Sequence, residues 1–465
     1  MHTLSVRKYR RAIRWVVLAA GLAAFAAGRA AVAPAQQPPS EVDRRLRELE
    51  ETVKQLQKDQ QPPATTSAEG NKTLLAGWQD GFRLTSSDGQ FKLAIGGYLQ
   101  SDGRFFIDNK SGSVSQFLFR RVRPILEGTV FKYFDFRVMP DFAGSKLVLQ
   151  DAYVDVNYVR EARLQIGKYK PPVGLERLQS ARTLLFVERG LPTNLVPQRD
   201  TGVQLHGDVL NGAFTYALGV FNGVPDLGNG DTDTNSDKDF AGRVFAQPLK
   251  NSGVPPLSGL GLGIGGSYGH TRGSASSTDL PTYVSASQTS FFSYASNSTD
   301  ASKTAVARGA RSRISPQGYY FWGPFGVLTE YVRSSQGLGL AGKSTTAEHH
   351  AWQLAGSYVL TGERASYEGV TPAQPFDPWA RRWGAWQMVG RYATLDIDSS
   401  VFKNGFADPT KSARAAKEWV LGVNWYLNKN VKFALDYANT DFKGGAAKGD
   451  RRTEKIVLSR VQLAF

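Results

Sequence analysis

From Phe91 to Phe465 apolar side chains recur at every second position, and the pattern breaks at turn residues. Trp419, Leu421, Val423 and Trp425 share one face of their segment. Val431, Phe433, Leu435 and Tyr437 share one face of the next, with Leu427 to Asn430 as the tight turn between them. The last segment sets Val457, Val461, Leu463 and Phe465 against Arg460, Gln462 and Ala464. An apolar face opposite a mixed one is the dyad of a strand that stands between lipid and water. About sixteen segments read this way, near 90–107, 117–131, 134–142, 147–157, 162–169, 202–209, 213–221, 239–247, 260–272, 304–322, 325–334, 348–360, 384–395, 417–426, 431–441 and 455–465. The pattern predicts an all-β fold, a 16-stranded antiparallel transmembrane β-barrel, which at that strand number encloses a water-filled channel rather than a packed core.

The connections support closure in a membrane. Links at 132–133, 158–161, 210–212, 323–324 and 427–430 are short, while those at 170–201, 222–238, 273–303, 396–416 and 442–454 are long. Short periplasmic turns and long external loops require such alternation; a soluble sandwich does not. Two links on the short side, 248–259 and 361–383, are longer than the rule predicts. With 48 Gly, 11% aromatic residues and no apolar run beyond the N-terminus long enough for a helical span, a helical membrane protein is excluded.

The N-terminus gives the compartment. Arg7, Lys8, Arg10, Arg11 and Arg14 precede an apolar run from Trp15 to Ala27 that is too short to span a bilayer, the pattern of a secretory signal. Ala33-Pro34-Ala35 fits small-x-small cleavage, so residues 1–35 are read as the signal and Gln36 as the mature start; a retained anchor is the alternative. Those residues carry six Lys or Arg and no acid, so removing six from the formal +15 leaves a basic chain of +9. The absence of Cys excludes a disulfide scaffold and a Cys-zinc site. Ser40 and Asp43 then open a helix whose Val42, Leu46, Leu49, Val53 and Leu56 form a short heptad seam. The expected organisation is a signal at 1–35, a coiled-coil helix at 40–61, a linker at 62–73 and the barrel at 74–465. An ordinary amphipathic helix is the alternative to the coiled coil.

If the apolar parity faces lipid, Arg121, Arg123, Arg137, Arg163, Arg243, Arg391, Lys432 and Arg460 line the lumen, together with Glu127, Asp135, Asp141, Asp151, Asp155, Glu330 and Asp436. Many of these charges can pair across the wall. Arg120 has the wrong parity and requires a bulge or a position at the membrane rim. Loop 170–201 holds Lys170, Arg177, Arg182, Arg189 and Arg199 against Glu176, Glu188 and Asp200. Its Val173, Leu175, Leu178, Leu184, Leu185, Phe186 and Val187 are too apolar for a free surface loop and predict packing into the lumen or on a neighbouring chain.

Phe-Arg-Arg-Val-Arg at 119–123, Leu-Glu-Gly-Thr at 126–129, Phe-Asp-Phe-Arg at 134–137, Asp-Ala-Tyr-Val at 151–154 and Gly-Lys-Tyr-Lys-Pro-Pro-Val-Gly-Leu-Glu-Arg at 167–177 resemble the phosphate-selective porin family of bacterial outer membranes. Phe-Val-Glu-Arg at 186–189, Asp-Thr-Gly-Val-Gln at 200–204, Leu-Thr-Gly-Glu at 360–363, Gly-Ala-Trp at 384–386 and Leu-Gly-Val-Asn-Trp-Tyr at 421–426 extend the resemblance over nearly all of 90–465. It implies a homotrimer in the bacterial outer membrane that passes small inorganic anions, with Arg120, Arg121, Arg177 and Arg189 at the constriction and a basic residue at Arg182. It implies outer-membrane lipid as the surroundings, and no cofactor, metal, enzymatic activity or nucleic-acid partner. Two departures bear on phosphate. Tyr98 stands where the family's phosphate channels carry an arginine on the first strand, and residues 274–302 contain no Lys or Arg where those channels are arginine-rich. A general-diffusion porin is therefore the nearest alternative, and an outer-membrane enzyme or structural tether the alternative of another class.

Three motifs point elsewhere. Gly265-Gly266-Ser267-Tyr268-Gly269 matches a nucleophile elbow, with His270 next to it, but the glycine-rich alternation leads into a polar loop rather than a helix. Asp231, Asp233, Asn235 and Asp237 resemble a calcium loop without its central Gly or closing Glu. His349 and His350 are adjacent and by themselves define no metal site.

Overall fold

The computed structural model describes Glu51 and residues 73–78, 81–107, 113–233 and 235–465. The expected signal, the heptad positions Val42 to Leu56 and the linker up to Lys72 lie outside the described residues. A hairpin of β1 (Leu74–Trp78) and β2 (Phe82–Ser86) comes first. The wall follows as β3 (Lys92–Phe106), β4 (Gln116–Val130), β5 (Phe134–Asp141), β6 (Val148–Val159), β7 (Ala162–Tyr169), β8 (Asp200–Val209), β9 (Phe214–Phe221), β10 (Asp239–Ala246) and β11 (Leu260–Arg272). A small hairpin, β12 (Thr282–Val284) with β13 (Ser290–Ser293), stands in the next loop. The wall resumes with β14 (Val306–Trp322), β15 (Phe325–Leu340), β16 (Lys343–Val359), β17 (Ala385–Asp396), β18 (Ala413–Tyr426), β19 (Val431–Gly444) and β20 (Glu454–Ala464).

Among the described residues, 16 strands, β3 to β11 and β14 to β20, pair antiparallel with their neighbours, and β20 returns to β3 from Ile456↔Phe106 to Ala464↔Tyr98. Closure removes both sheet edges, the condition for satisfying every ladder hydrogen bond in lipid. Phe465 and Gly97 exchange two backbone bonds, N to O at 3.0 and 2.7 Å, which fix the chain end to β3. Below that point β2 continues the pairing along β3, from Phe82↔Ile95 to Thr85↔Lys92.

Period two separates the two faces. Trp386, Met388, Leu421, Trp425, Phe433 and Leu435 point outward, while Gln387, Arg391, Glu418, Asn424, Lys432 and Asp436 on the same strands are buried inside. The sequence boundaries fall within a few residues of the observed ones, with one exception. Segments 325–334 and 348–360 are the visible halves of longer strands joined by a turn at Ala341 and Gly342, both in the left-handed region at φ 49° and 79°. The glycine-rich run before that turn reads as a loop, yet its Leu338 is buried.

Among the connections that turn into the lumen, three bear on the site. The first, residues 170–199, crosses it and bonds to distant strands. Glu330 accepts from the Leu175 and Glu176 amides at 2.7 and 3.2 Å, Asp436 from the Val187 amide at 2.7 Å, and Lys432 donates to the Leu184 carbonyl at 2.8 Å. Leu175, Leu185, Phe186 and Val187 pack on Leu328, Ala355, Val389, Val420, Ala434 and Ala438. The small wall residues make the room that the loop's large ones fill. The second, carrying β12 and β13, reaches in with Ser285, whose hydroxyl donates to Glu454 at 2.6 Å. The third is the unexpectedly long link 360–384 on the opposite rim, whose Tyr367 hydroxyl donates to the Leu175 carbonyl at 2.6 Å.

Candidate anion-conducting site

Loop 170–199 lies against β15 to β20, which leaves the open lumen on the side of β3 to β8. That space is a cavity of about 510 Å³. The wall supplies Arg120, Arg121, Arg123 and Arg137, and the loop supplies Lys170, Arg177, Arg189 and Arg199; Asp151 and Glu188 are the lining acids. The surplus of cations is large, and low-dielectric walls focus such a field along the passage.

Arg120 enters this group through backbone geometry. The β3–β4 ladder pairs Gln100 with Arg121 and then Ser101 with Phe119, so Arg120 is the extra residue of a β-bulge. Without it, alternation would send either Arg120 or Arg121 into lipid. The bulge turns both inward, where they converge on Glu188 of the loop. Its carboxylate lies 2.6 Å from Arg120 and 3.7 Å from Arg121, with Arg460 at 3.3 Å and Arg104 at 3.5 Å. Burial alone would raise the Glu188 carboxyl, but Arg120, Arg121 and Arg460 outweigh it and hold it well below the usual carboxylate range.

Several wall cations are neutralised locally. Arg123 pairs with Asp141 at 2.7 Å and Arg137 with Glu127 at 2.6 Å, while Arg199 of the loop pairs with Asp151 at 2.8 Å. Arg177 and Arg189 differ. Arg177 donates to the Thr193 carbonyl at 2.7 Å, and Arg189 to the Glu176 and Gln179 carbonyls at 2.9 and 2.7 Å. Lys170 likewise donates to the Leu178 and Gln179 carbonyls at 3.0 and 2.9 Å. Among the described residues, none of these three has a carboxylate within ion-pair distance. They brace the loop with neutral acceptors and form no direct ion pair.

Burial pulls Lys170 well below the ordinary lysine value, and Arg189 and Arg199 push it further down. As the pH is raised toward the usual lysine range near 10.4, this cavity charge is therefore expected to be lost before that range is reached. Anion selectivity, measured as reversal potential, should fall over that interval in the native channel and stay level in Lys170→Arg. A flat profile in the native channel would show that Lys170 keeps its charge.

Arg182, placed with the others by the sequence, is not brought to them. It lines a separate cavity of about 300 Å³ at the short-turn rim, beside Asn428, Lys429 and Lys432. The chain bends at Ser180 and Ala181, which still line the main cavity, and the Arg182 carbonyl accepts from Gln462 at 2.9 Å. Residues outside the implied arginine set also contribute. Tyr98 donates no charge but accepts from Arg123 at 2.9 Å, and Gln288 accepts from Arg120 at 3.2 Å. The second inward loop thus offers amide and hydroxyl groups where arginines are absent.

The remaining motifs have structural explanations. Ser267 sits inside β11, not at a strand-to-helix turn, and accepts from Arg313 at 3.2 Å. His349 faces inward with the Tyr294 hydroxyl at 2.7 Å and His350 outward with the Tyr331 hydroxyl at 2.7 Å, as adjacent strand residues must. Lys238 pairs with Asp233, and Lys168 with Asp231, in the acidic loop.

A closed barrel of this size with an inward loop and a cation-lined lumen defines an outer-membrane channel. The chain belongs to the family described as phosphate-selective porin O and P, whose model matches residues 93–465. Porin O of Pseudomonas aeruginosa is 25% identical over 390 residues, covering 78% of this chain and 86% of that protein. Among solved structures, the outer membrane channel DcaP of Acinetobacter baumannii matches with a TM-score of 0.52 at 11% identity, over 84% of this chain and 100% of that one. The anion-selective porin from Comamonas acidovorans matches with a TM-score of 0.51 at 11% identity, over 81% of this chain and 100% of that one. At those identities the structural matches speak to the fold.

Proposed function

We propose that this porin is a passive anion-selective pore for small inorganic anions, with Arg120, Arg121, Arg177 and Arg189 at its constriction. The observation that carries this reading is the group of Lys170, Arg177 and Arg189, cations that face the cavity without a carboxylate partner among the described residues. Rings of positive side chains in a narrow passage admit anions and repel cations, provided that binding stays weak enough for release. Conduction needs no chemical step, and Ser267, the one nucleophile suggested by a motif, is held inside a strand. The reading is tested by reversal potential under a potassium chloride gradient in a planar bilayer. Arg177→Ala should move the reversal potential toward zero, whereas Arg182→Ala, altering a different cavity, should move it much less. Equal effects would place the filter outside the main cavity.

The same reading includes a homotrimer, supported by the broad apolar exterior and by the heptad seam Val42 to Leu56, whose three copies can meet on one axis. Native mass in mild detergent should be that of three chains. Deleting residues 40–61 should weaken the assembly only slightly, because the barrel walls supply most of the contact. A native mass of one chain for the full protein would refute the trimer.

A further inference from the structure

The long link 360–384 has a second half that the channel does not use. After Tyr367 in the lumen, the chain returns to the outer face at Phe376, whose amide donates to the Leu427 carbonyl at 2.6 Å. Asp377 and Arg382 then exchange two backbone bonds at 2.9 Å each, and the Asp377 carboxylate accepts the Trp379 and Ala380 amides at 3.0 and 3.1 Å. The result is a compact turn bearing Trp379, Arg381, Arg382 and Trp383. Trp379 is 94% exposed and Trp383 59%. Both arginines are exposed and have no ion pair among the described residues.

The wall beside the turn shows what surrounds it. Trp386, Trp425 and Phe433 pair across β17, β18 and β19, with Trp386 and Trp425 stacked at 5.0 Å. Trp425 donates its indole N–H to the Trp383 carbonyl at 2.7 Å, tying the turn to this aromatic row. Further along the same outer face come Met388, Val423 and Leu435, then Leu421 opposite Tyr437, and finally Tyr392 opposite Trp419, whose ring lies 5.2 Å from that of Tyr437. Two aromatic rows bounding an apolar band are the girdles of a membrane barrel. The turn stands just beyond the girdle of the short-turn rim, at headgroup depth.

We infer that Trp379, Arg381, Arg382 and Trp383 form a docking surface for the phosphate headgroups of anionic phospholipid in the periplasmic leaflet. An indole suits an interface that is apolar on one side and wet on the other, and guanidinium groups pair with phosphate. Among the described residues neither Arg381 nor Arg382 has a carboxylate within ion-pair distance, and the Asp377 carboxylate accepts the turn's own amides. The inference goes beyond the channel reading and does not depend on ion selectivity.

The test uses the full chain reconstituted in phosphatidylcholine vesicles that contain either brominated phosphatidylglycerol or brominated phosphatidylcholine at equal bromine content. The Trp379 contribution is isolated as the difference from Trp379→Phe. Brominated phosphatidylglycerol should quench that contribution at least about twofold more strongly. The preference should disappear in Arg381→Ser/Arg382→Ser and persist in Arg381→Lys/Arg382→Lys, with conductance unchanged in both, which certifies folded barrels. Equal quenching by the two lipids in the native chain overturns the inference. So does quenching by neither lipid together with loss of oligomer mass in the serine variant, which would assign the turn to a contact between copies of this chain.

Discussion

Replacing Glu188 with Gln is expected to tighten the binding of multivalent anions at the constriction at least tenfold. In the native channel the Glu188 carboxylate is itself an anion held by lumen arginines, with Arg120 at 2.6 Å and three further guanidinium groups within 3.7 Å. A permeant anion must compete with this tethered one. Opposite unit charges about 4 Å apart interact by roughly 4 kcal/mol at an effective dielectric constant near 20, and tenfold tighter binding asks for only about 1.4 kcal/mol of that. Chloride current through the native channel should accordingly be blocked by phosphate weakly, in a range of about millimolar, because residues 274–302 bring no arginine to the cavity and Glu188 screens those already present. In Glu188→Gln the block should move to concentrations at least tenfold lower, with slower exit and reduced phosphate flux. Removing one member of a buried ion cluster can cost about 3–5 kcal/mol, yet the loop keeps its backbone ties, including Arg391 to the Glu188 carbonyl at 3.0 Å. An unchanged phosphate block in a correctly assembled variant would mean that the carboxylate does not compete.

The second large effect is expected from a residue that bears no charge. Gly265 of β11 faces the loop backbone, and a Cβ placed on it would lie 2.4 Å from the Val173 carbonyl oxygen and 3.0 Å from that of Pro172. Backbone cannot rotate out of the way as a side chain can. Gly265→Val must therefore push the start of the inward loop off the wall, disturbing the Glu330 contacts to Leu175 and Glu176 that lie immediately downstream. Single-channel conductance should rise about twofold or more, and the reversal potential should fall toward that of an unselective pore. Gly356, also in the wall, meets nothing within 4 Å when a Cβ is added, so Gly356→Ala serves as the control that leaves conductance unchanged. Native conductance in Gly265→Val would show that the loop adapts without moving.

The legible part of this molecule is the part with a period. A two-residue repeat needs only local sequence, which is why β7 and β11 match their expected bounds and why Arg120 stands out as a parity error, which alternation alone assigns either to a bulge or to the membrane rim. The loop's burial is legible as apolar excess, since Val173, Leu175 and Val187 are too hydrophobic for solvent and are fully buried, but apolar excess does not choose between the lumen and a neighbouring chain. The loop's path is not legible. The bonds that set it join Leu184 to Lys432 and Val187 to Asp436, and no local pattern encodes a partner more than two hundred positions away. For that reason the sequence alone leaves Arg182 beside Arg177, although the bend between them sends it to another cavity. Glu188 was counted only as one acid among several in the loop, because proximity to four arginines from β3, β4 and β20 exists only in the closed barrel. The glycines around Ser267 had a detectable signal that suggested a wrong cause: Gly265 is small because a backbone leans on it, not because a nucleophile must be exposed.

Asp102 of β3 and Arg460 of β20 meet at 2.7 Å across the seam, 358 positions apart. Arg460 also reaches Glu188, so the bond that zips the cylinder shut is continuous with the cluster that narrows it. Folding order follows from this. The arginine cluster around Glu188 cannot be complete in a chain whose C-terminal strand has yet to dock, and contacts of such long range form late because loop closure must precede them. During refolding into vesicles, an assembly intermediate should leak ions of both signs, and discrimination should appear together with the final docking of β20 rather than grow in as earlier strands insert.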